Sequence, residues 1–403
     1  MKNIEVLFLA QSFIRFKDDI TSHFLFSLAQ GLQKSGVAVK AVVPHQKGLK
    51  NYEKIEGVPL YRFHYMHSSL ENLAYTGNMQ EEVKGNILNR MIFLFFLFSY
   101  FWKAYRVAKS FKIKIIHAHW WIPSGLVGVL VSSLLNKPLI ITTHGSDIRL
   151  IPNSKFSIFL AKFVFKKAEY ITVVSNFLKE RLVSELSLPA AKILVIPMPA
   201  NPVKIKIIPL PEPKPKKLIL CVARYTGQKK LEILLESLSL LKKDDLDFEA
   251  AFIGEGPERE KLVKKIEDFS LKEEVKLMKL MSQEELNRYY NLSDVVVLPS
   301  VNEGFGLVLV EAALCKKPVI GTNSGGIPDI IQDGVTGLLV PPEDSKALAS
   351  AIKNVLKNGD LASRLSQSAY QQAWNKFSPQ AITKRFLEVY DELFPESKPT
   401  DLP

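Results

Sequence analysis

Cysteine is scarce in this 403-residue sequence: there are only two, Cys221 in an apolar, strand-like run and Cys315 in a helical stretch. That excludes a disulfide framework and fits packed thiols in a reducing compartment, so a cytoplasmic location is expected. Long apolar runs are missing as well. The longest, residues 91–102, holds 12 residues between Arg90 and Lys103, whereas a bilayer span takes about 20. Residues 4–10 read as a strand, and no basic start followed by an apolar core and a small-residue cleavage site is seen. All seven histidines fall at or before residue 144. None stands in a spaced ligand set with cysteines or carboxylates, so no metal is expected. Zinc-finger spacing, RNP-type aromatic boxes and basic-region heptads are absent, which argues against nucleic acid as a partner. Acidic residues are short in one half only. Residues 1–200 hold 25 Lys and Arg against 12 Asp and Glu, a net of +13, and the remainder 28 against 29, a net of −1. An anionic membrane surface and a merely solvated lysine face are the two readings of that basic half.

What the chain does have is alternation. Short apolar runs at 4–10, 38–43, 114–118, 138–142, 170–174 and 192–196 read as strands with helices between them, the pattern of a parallel sheet covered on both faces. Seven prolines from Pro197 to Pro215 then break the pattern and read as a stiff linker. The alternation restarts at 218–223, 249–253, 275–277, 295–299 and 318–321. A helix over 379–393 presents Ile382, Phe386, Val389 and Tyr390 on one face. Strands and length together predict an α/β protein of two domains of about 200 residues each. The 91–102 run reads as a core helix on the first sheet. Its rival is an interfacial helix whose aromatic face meets lipid while Lys103, Arg106, Lys109, Lys112 and Lys114 meet headgroups.

The most informative segment is 303–311, Glu-Gly-Phe-Gly-Leu-Val-Leu-Val-Glu. It follows an apolar strand-like run and opens a helix read as amphipathic and ending near Cys315. Gly304 and Gly306 permit close approach of backbone amides to a ligand, and the helix N-terminus beyond them favours anions such as phosphate. On a continuous helix Glu303 and Glu311 would stand roughly 12 Å apart along the axis and about 80° around it. Glu303 is therefore read on the loop and Glu311 in the helix, with phosphates between, an arrangement that suits a nucleotide sugar. The plainer reading is a strand, a turn and a helix with two solvated carboxylates. Asp245 and Asp247 are the one Asp-x-Asp-like pair. They precede a strand rather than follow one, and read as a solvated loop.

Several further segments, in order, resemble the GT-B glycosyltransferases, specifically the retaining family 4 (glycosyl transferase group 1). They are Ala223-Arg224-Tyr225 with Lys229-Lys230, the Gly254-Glu255-Gly256-Pro257-Glu258 segment, the paired Glu303 and Glu311, and residues 325–329 and 334–340. In the first half, His117-Ala-His119-Trp120 and the segment from Thr143 to Asp147 are similar to the family's acceptor-side strand ends. The resemblance implies two facing Rossmann-like domains with a cleft between them. It implies an acceptor-binding domain at 1–200, a linker at 201–217, a donor domain at 218–378, and a C-terminal helix at 379–403 that packs back on the first domain. It implies catalytic roles for His144, Glu303, Arg224 and Lys229, and donor contacts from Gly254, Gly256, Gly304, Phe305, Gly306, Leu307 and Glu311. Arg15, Asp19, His119 and Asp147 fall on the acceptor side, with His117 structural.

The expected donor is a UDP- or GDP-sugar, with no cofactor and no metal. The expected acceptor is a glycan or a lipid-linked glycan, reached from the cytoplasm or from the inner face of the membrane. An epimerase of the same fold and a non-catalytic sugar-nucleotide-binding protein are the alternatives. Three departures stand out. The loop after the first strand lacks the family's glycines, carrying Asp18 and Ser22 where a subgroup has Gly, so it is read as facing the acceptor. Lys230 stands where Gly is usual. Residues 197–201 replace the family's Pro-Asn-Gly-Val-Asp.

Overall fold

A computed structural model describes residues 4–17, 19, 21–75, 79–201, 203–210 and 215–394. Asp18, Pro202, Pro211, Pro213 and residues 395–403, all named above, lie outside the described residues. The chain separates into two compact units. One comprises residues 1–174, 178–199 and 382–403, and the other 175–177 and 200–381.

The first unit is built on eight strands: β1 (Glu5–Ala10), β2 (Ala38–Pro44), β3 (Tyr52–Ile55), β4 (Val58–Phe63), β5 (Ile115–His119), β6 (Leu139–Thr143), β7 (Tyr170–Val173) and β8 (Ile193–Val195). Their order is β3-β4-β2-β1-β5-β6-β7-β8, and among the described residues only the β3–β4 hairpin is antiparallel. The hairpin is missing from the sequence reading. β3 is a short edge strand with exposed Tyr52 and Lys54, and carries too little apolar signal to be read alone. The core on one face is formed by Val6, Phe8, Leu28, Val39, Ala41 and Ile115, together with Ile382, Phe386, Val389 and Tyr390 of the Pro379–Glu392 helix.

The 91–102 run belongs to a 24-residue helix, Ile87–Ser110. The core reading holds for one face, and the two readings can both hold for different faces. Ile92, Phe96, Tyr100, Ala104 and Val107 form a buried stripe, with Phe63 stacked on Tyr100 at 4.5 Å. Ile87, Leu88, Met91, Leu94, Phe95, Phe98 and Trp102 are exposed. One stripe suffices to seat a helix on a sheet, and the opposite face is left without a partner. By length and composition the helix is sufficient to cross a membrane, so the 12-residue count understates it. The buried stripe is what ties it to the fold.

The second unit has six parallel strands: β9 (Lys217–Val222), β10 (Phe248–Ile253), β11 (Val275–Met278), β12 (Val295–Leu298), β13 (Val319–Thr322) and β14 (Leu338–Val340). Their order is β11-β10-β9-β12-β13-β14. Counted along the chain this is 3-2-1-4-5-6, the doubly wound arrangement whose ligand site lies where the order reverses, outside the carboxyl ends of β9 and β12. The segment read as a linker is strapped to this unit. Asn287 and Asn291, both on the Gln283–Leu292 helix, accept the amides of Lys206 (2.9 Å) and Ile208 (3.0 Å), and Ile205 is buried. Both cysteines are free and buried, and burial pushes each thiol up to about 12.

Candidate active site

The second unit brings the paired-glutamate segment against the loop after β9. Glu303 lies in the turn between β12 and the Leu307–Leu314 helix, and the Lys229 ammonium bonds its carboxylate. The two loops are also tied by backbone, Val301 N–H donating to Gln228 O at 2.9 Å. Gly326 N–H donates to Glu303 O at 2.7 Å. Arg224 is exposed just past the end of β9. Gly254 and Gly256 lie alongside, and their glycine identity follows from close approach: a Cβ on them would stand 2.0 Å from Ala223 O and 2.4 Å from Tyr225 O. Gly306 caps the helix in the left-handed region, φ 100°. Gly304 and Leu307 are half-buried.

Four findings refine the sequence reading here. The helix is not amphipathic, since Leu309 through Leu314 are all buried, Glu311 among them at 4% exposure. Glu311 accepts a hydrogen bond from Tyr290 Oη at 2.8 Å, and Tyr290 is fully buried. No motif singles out Tyr290 in the sequence; only its helix packing reveals it. Phe305 is buried edge-on against Phe377, so its side chain is core and it can offer a ligand only backbone. Lys230 takes φ 48°, a conformation suited to glycine, and turns its side chain to Glu343.

In the first unit the strand-end residues fall at the matching place, where the order reverses between β1 and β5. His144 follows β6, wedged between Trp120 (4.7 Å between ring centroids) and Phe24 (5.1 Å). Among the described residues neither ring nitrogen of His144, nor of His119, has a hydrogen-bond partner. Burial pushes His144 down to about 3 and His119 well below the ordinary range, so both are neutral at pH 7. A neutral imidazole with an unused donor and acceptor suits a sugar hydroxyl better than an anion.

Two acceptor-side expectations are corrected. His119 is fully buried among Phe8, His117 and His144, with no exposed face. The Asp147 carboxylate points inward and accepts from the amides of Trp121, His144 and Gly145, each at 3.1 Å. It positions the His144 loop instead of facing outward. Buried backbone amides need partners, and a carboxylate two or three residues on is the nearest acceptor. Asp19 is likewise engaged. It accepts from Arg15 Nε at 2.6 Å and from Thr21 Oγ1 at 2.8 Å. Burial alone would raise its carboxyl, but these bonds outweigh burial and lower it. His117 shares hydrogen bonds with Tyr390 Oη (2.7 Å) and Thr142 Oγ1 (2.6 Å), which makes it structural.

Comparison with known proteins identifies the family and the fold. The family described as "Glycosyltransferase Family 4" matches residues 21–204, and the one described as "Glycosyl transferases group 1" matches residues 204–372. An uncharacterized glycosyltransferase of Methanocaldococcus jannaschii is 31% identical over 330 residues, covering 80% of this chain and 89% of that protein. Among solved structures, a sucrose-phosphate synthase from Thermosynechococcus elongatus superposes with a TM-score of 0.80 at 22% identity, covering 98% of this chain and 100% of that one. HepE of Anabaena, solved in complex with UDP and glucose, gives a TM-score of 0.74 at 18% identity over 97% of this chain and 100% of its own.

Proposed function

This chain belongs to glycosyltransferase family 4 and is a glycosyltransferase of GT-B fold, and on that premise we propose that it moves a sugar from a nucleoside-diphosphate sugar to an acceptor hydroxyl with retained anomeric configuration. The observation that carries the donor side is the Lys229–Glu303 pair at the point where the strand order of the second sheet reverses. A cation and a carboxylate held together beside a helix N-terminus suit a diphosphate joined to a hydroxyl-bearing ring. In this reading Lys229 and Arg224 hold the diphosphate, Glu303 takes the transferred sugar and Glu311, steadied by Tyr290, takes the ribose. HepE, a structure of the same fold, binds UDP and glucose.

The bond from the anomeric carbon to the β-phosphate oxygen breaks, and the acceptor oxygen bonds the same carbon on the same face. The acceptor proton passes to the departing phosphate. Preorganised cations stabilise that leaving group by a few kcal/mol per well-placed donor, so no metal is assigned to the donor site. A double displacement would need a carboxylate on the opposite ring face, and no residue is assigned that part. His144, neutral in the first unit, serves a sugar hydroxyl.

The acceptor is proposed to be lipid-linked, met at the inner face of the membrane by the basic unit. Besides the exposed face of Ile87–Ser110, the Lys155–Lys167 helix exposes Phe156, Phe159 and Phe163 beside Lys155, Lys162 and Lys166. Aromatic side chains flanked by lysines on one helix are the chemistry of an interfacial surface. The test is a panel of UDP- and GDP-sugars with lipid and soluble acceptors, read by nucleoside-diphosphate release, by product mass and by anomeric coupling in NMR. Transfer with retention supports the proposal. An isomerised donor with no acceptor gain, or an inverted product, overturns it.

A further inference from the structure

The register of two neighbouring strands brings together three residues that the sequence keeps far apart. β2 and β4 run parallel with Pro44 opposite Phe63, so His45 and His64 leave the sheet side by side, rings 3.7 Å apart. The loop that follows returns Glu71 between them. Its side chain is fully buried, with Oε2 at 2.5 Å from His45 Nδ1 and Oε1 at 3.0 Å from His64 Nδ1. Both imidazoles are held from behind. His45 Nε2 donates to Leu49 O at 2.8 Å, and His64 Nε2 stands 2.6 Å from Asn51 Oδ1.

Those outer bonds decide the chemistry of the inner atoms. A carbonyl oxygen only accepts, so His45 Nε2 carries a hydrogen, and in that tautomer of the neutral ring Nδ1 presents a lone pair toward Glu71. That lone pair faces a carboxylate oxygen, and the second ring repeats the arrangement. Lone pairs so close need a proton or a metal cation among them. Two protonated imidazoles would repel face to face over a single carboxylate. A divalent ion with two neutral imidazoles and one carboxylate removes that repulsion. A ring nitrogen committed outward to a carbonyl while its partner turns inward is also the arrangement that orients metal-ligating histidines.

We propose that His45, His64 and Glu71 form a site for a divalent transition-metal ion of the zinc class, bound through His45 Nδ1, His64 Nδ1 and a Glu71 oxygen. The three ligand atoms lie within 4.8 Å of one another, and ligands of a tetrahedral zinc stand about 3.4 Å apart. His64, half-exposed, is the ring with room to close that gap. Two nitrogens and one oxygen suit zinc, iron or nickel over magnesium or calcium. The fourth position, on the His64 side, is left for water or an exogenous oxygen. Bound there, the ion pins the ends of β2 and β4 to the 65–75 loop. The inference stands apart from the transfer reaction.

The experiment uses the full chain, stripped with chelator and titrated with Zn²⁺ by calorimetry and with Co²⁺ by visible absorption, beside His64→Ala and Glu71→Gln. One equivalent of Zn²⁺ is expected in the wild type, with the intense visible bands of tetrahedral Co²⁺ and a Zn²⁺-dependent rise in Tm. Loss of a ligand exceeds the roughly 10–100-fold effect of losing an outer partner, so His64→Ala should weaken binding by about 100-fold or more. Circular dichroism confirms that each variant is folded, and His64→Gln replaces His64→Ala should the latter not be. No saturable binding by the wild type, or binding unchanged in the folded variants, overturns the site.

Discussion

The loop after the first strand of each sheet shows how far two copies of one topology diverge. Both sheets reverse strand order beside that loop, between β1 and β5 in one unit and between β9 and β12 in the other. In the first unit the loop is turned inward: Phe13 and Ile14 are buried, Asp19 is bound by Arg15 and Thr21, and Arg62 donates to Arg15 O at 2.8 Å. In the second it carries Lys229 out to Glu303, with glycine-lined backbone alongside. Charge divides the same way, +13 in residues 1–200 against −1 in the rest. Apolar burial maintains both sheets, so the strand-end loops are free to hold different chemistry, neutral imidazoles in one unit and paired ions in the other.

Substitutions sharpen that contrast, the largest effect first. Removing the carboxylate proposed to take the transferred sugar, Glu303→Ala, should lower kcat by about 100–1000-fold, the scale of losing one preorganised polar contact at a reacting centre, while nucleoside-diphosphate affinity changes little. Glu311→Ala should do the reverse, weakening nucleoside-diphosphate binding by about 10–100-fold, as loss of a charged hydrogen bond does. Equal affinity losses by calorimetry in both variants would contradict the division between the two carboxylates.

Next in size is an acid sensitivity confined to the first unit. His117 and His144 are held down to about 3 and His119 well below the ordinary value of 6.5, in each case by burial. Between pH 6.5 and about 3 the unfolded chain therefore binds protons that the folded chain refuses, and stability falls as pH falls. Each histidine contributes about 1.4 kcal/mol per pH unit at most. Urea midpoints should drop between pH 7 and 5, and His144→Gln should show a shallower drop by about one proton. An unchanged slope would show that His144 is not the neutral, enclosed group described.

Smaller is the salt-dependent docking of the basic unit. Co-sedimentation with anionic vesicles should weaken several-fold in high salt, because charges beyond about 8–10 Å are screened, and Phe159→Glu should weaken it further. Indifference to vesicle charge and to salt would leave the exposed helix faces without a lipid role. The smallest expected effect is none: transfer by His64→Ala, which lacks the proposed metal site, should be untouched by EDTA. Inactivation restored by Mg²⁺ or Mn²⁺ would place a metal at the donor site.

Much of the fold was legible because strands buried on both faces write themselves as apolar runs; eleven of them were bounded within a residue or two. The strands that do not register are β3 and β4, whose burial alternates with exposed or half-buried positions, and β14, where Leu338 and Leu339 are only half-buried. At the site, glycines and charged residues at strand ends are visible as motifs, so the sequence singles out Arg224, Lys229, Glu303 and Glu311, of which Lys229 and Glu303 meet. Tyr290 was not, because its part depends on one helix lying against another.

By itself the sequence determined the two-unit α/β plan, the position of Glu303 on a loop and Glu311 in a helix, and the uneven charge, since apolar period, glycine placement and residue counts are local properties. Tertiary structure alone decided which polar groups face inward. Asp147 turns to three amides, His117 to Tyr390, and the Ile87–Ser110 helix buries one stripe and exposes the other. It also decided that His45, His64 and Glu71 meet, because only the β2–β4 register and the returning loop carry them to one place. Burial and pairing are relations between distant residues, and a chain read in order does not contain the distances that set them.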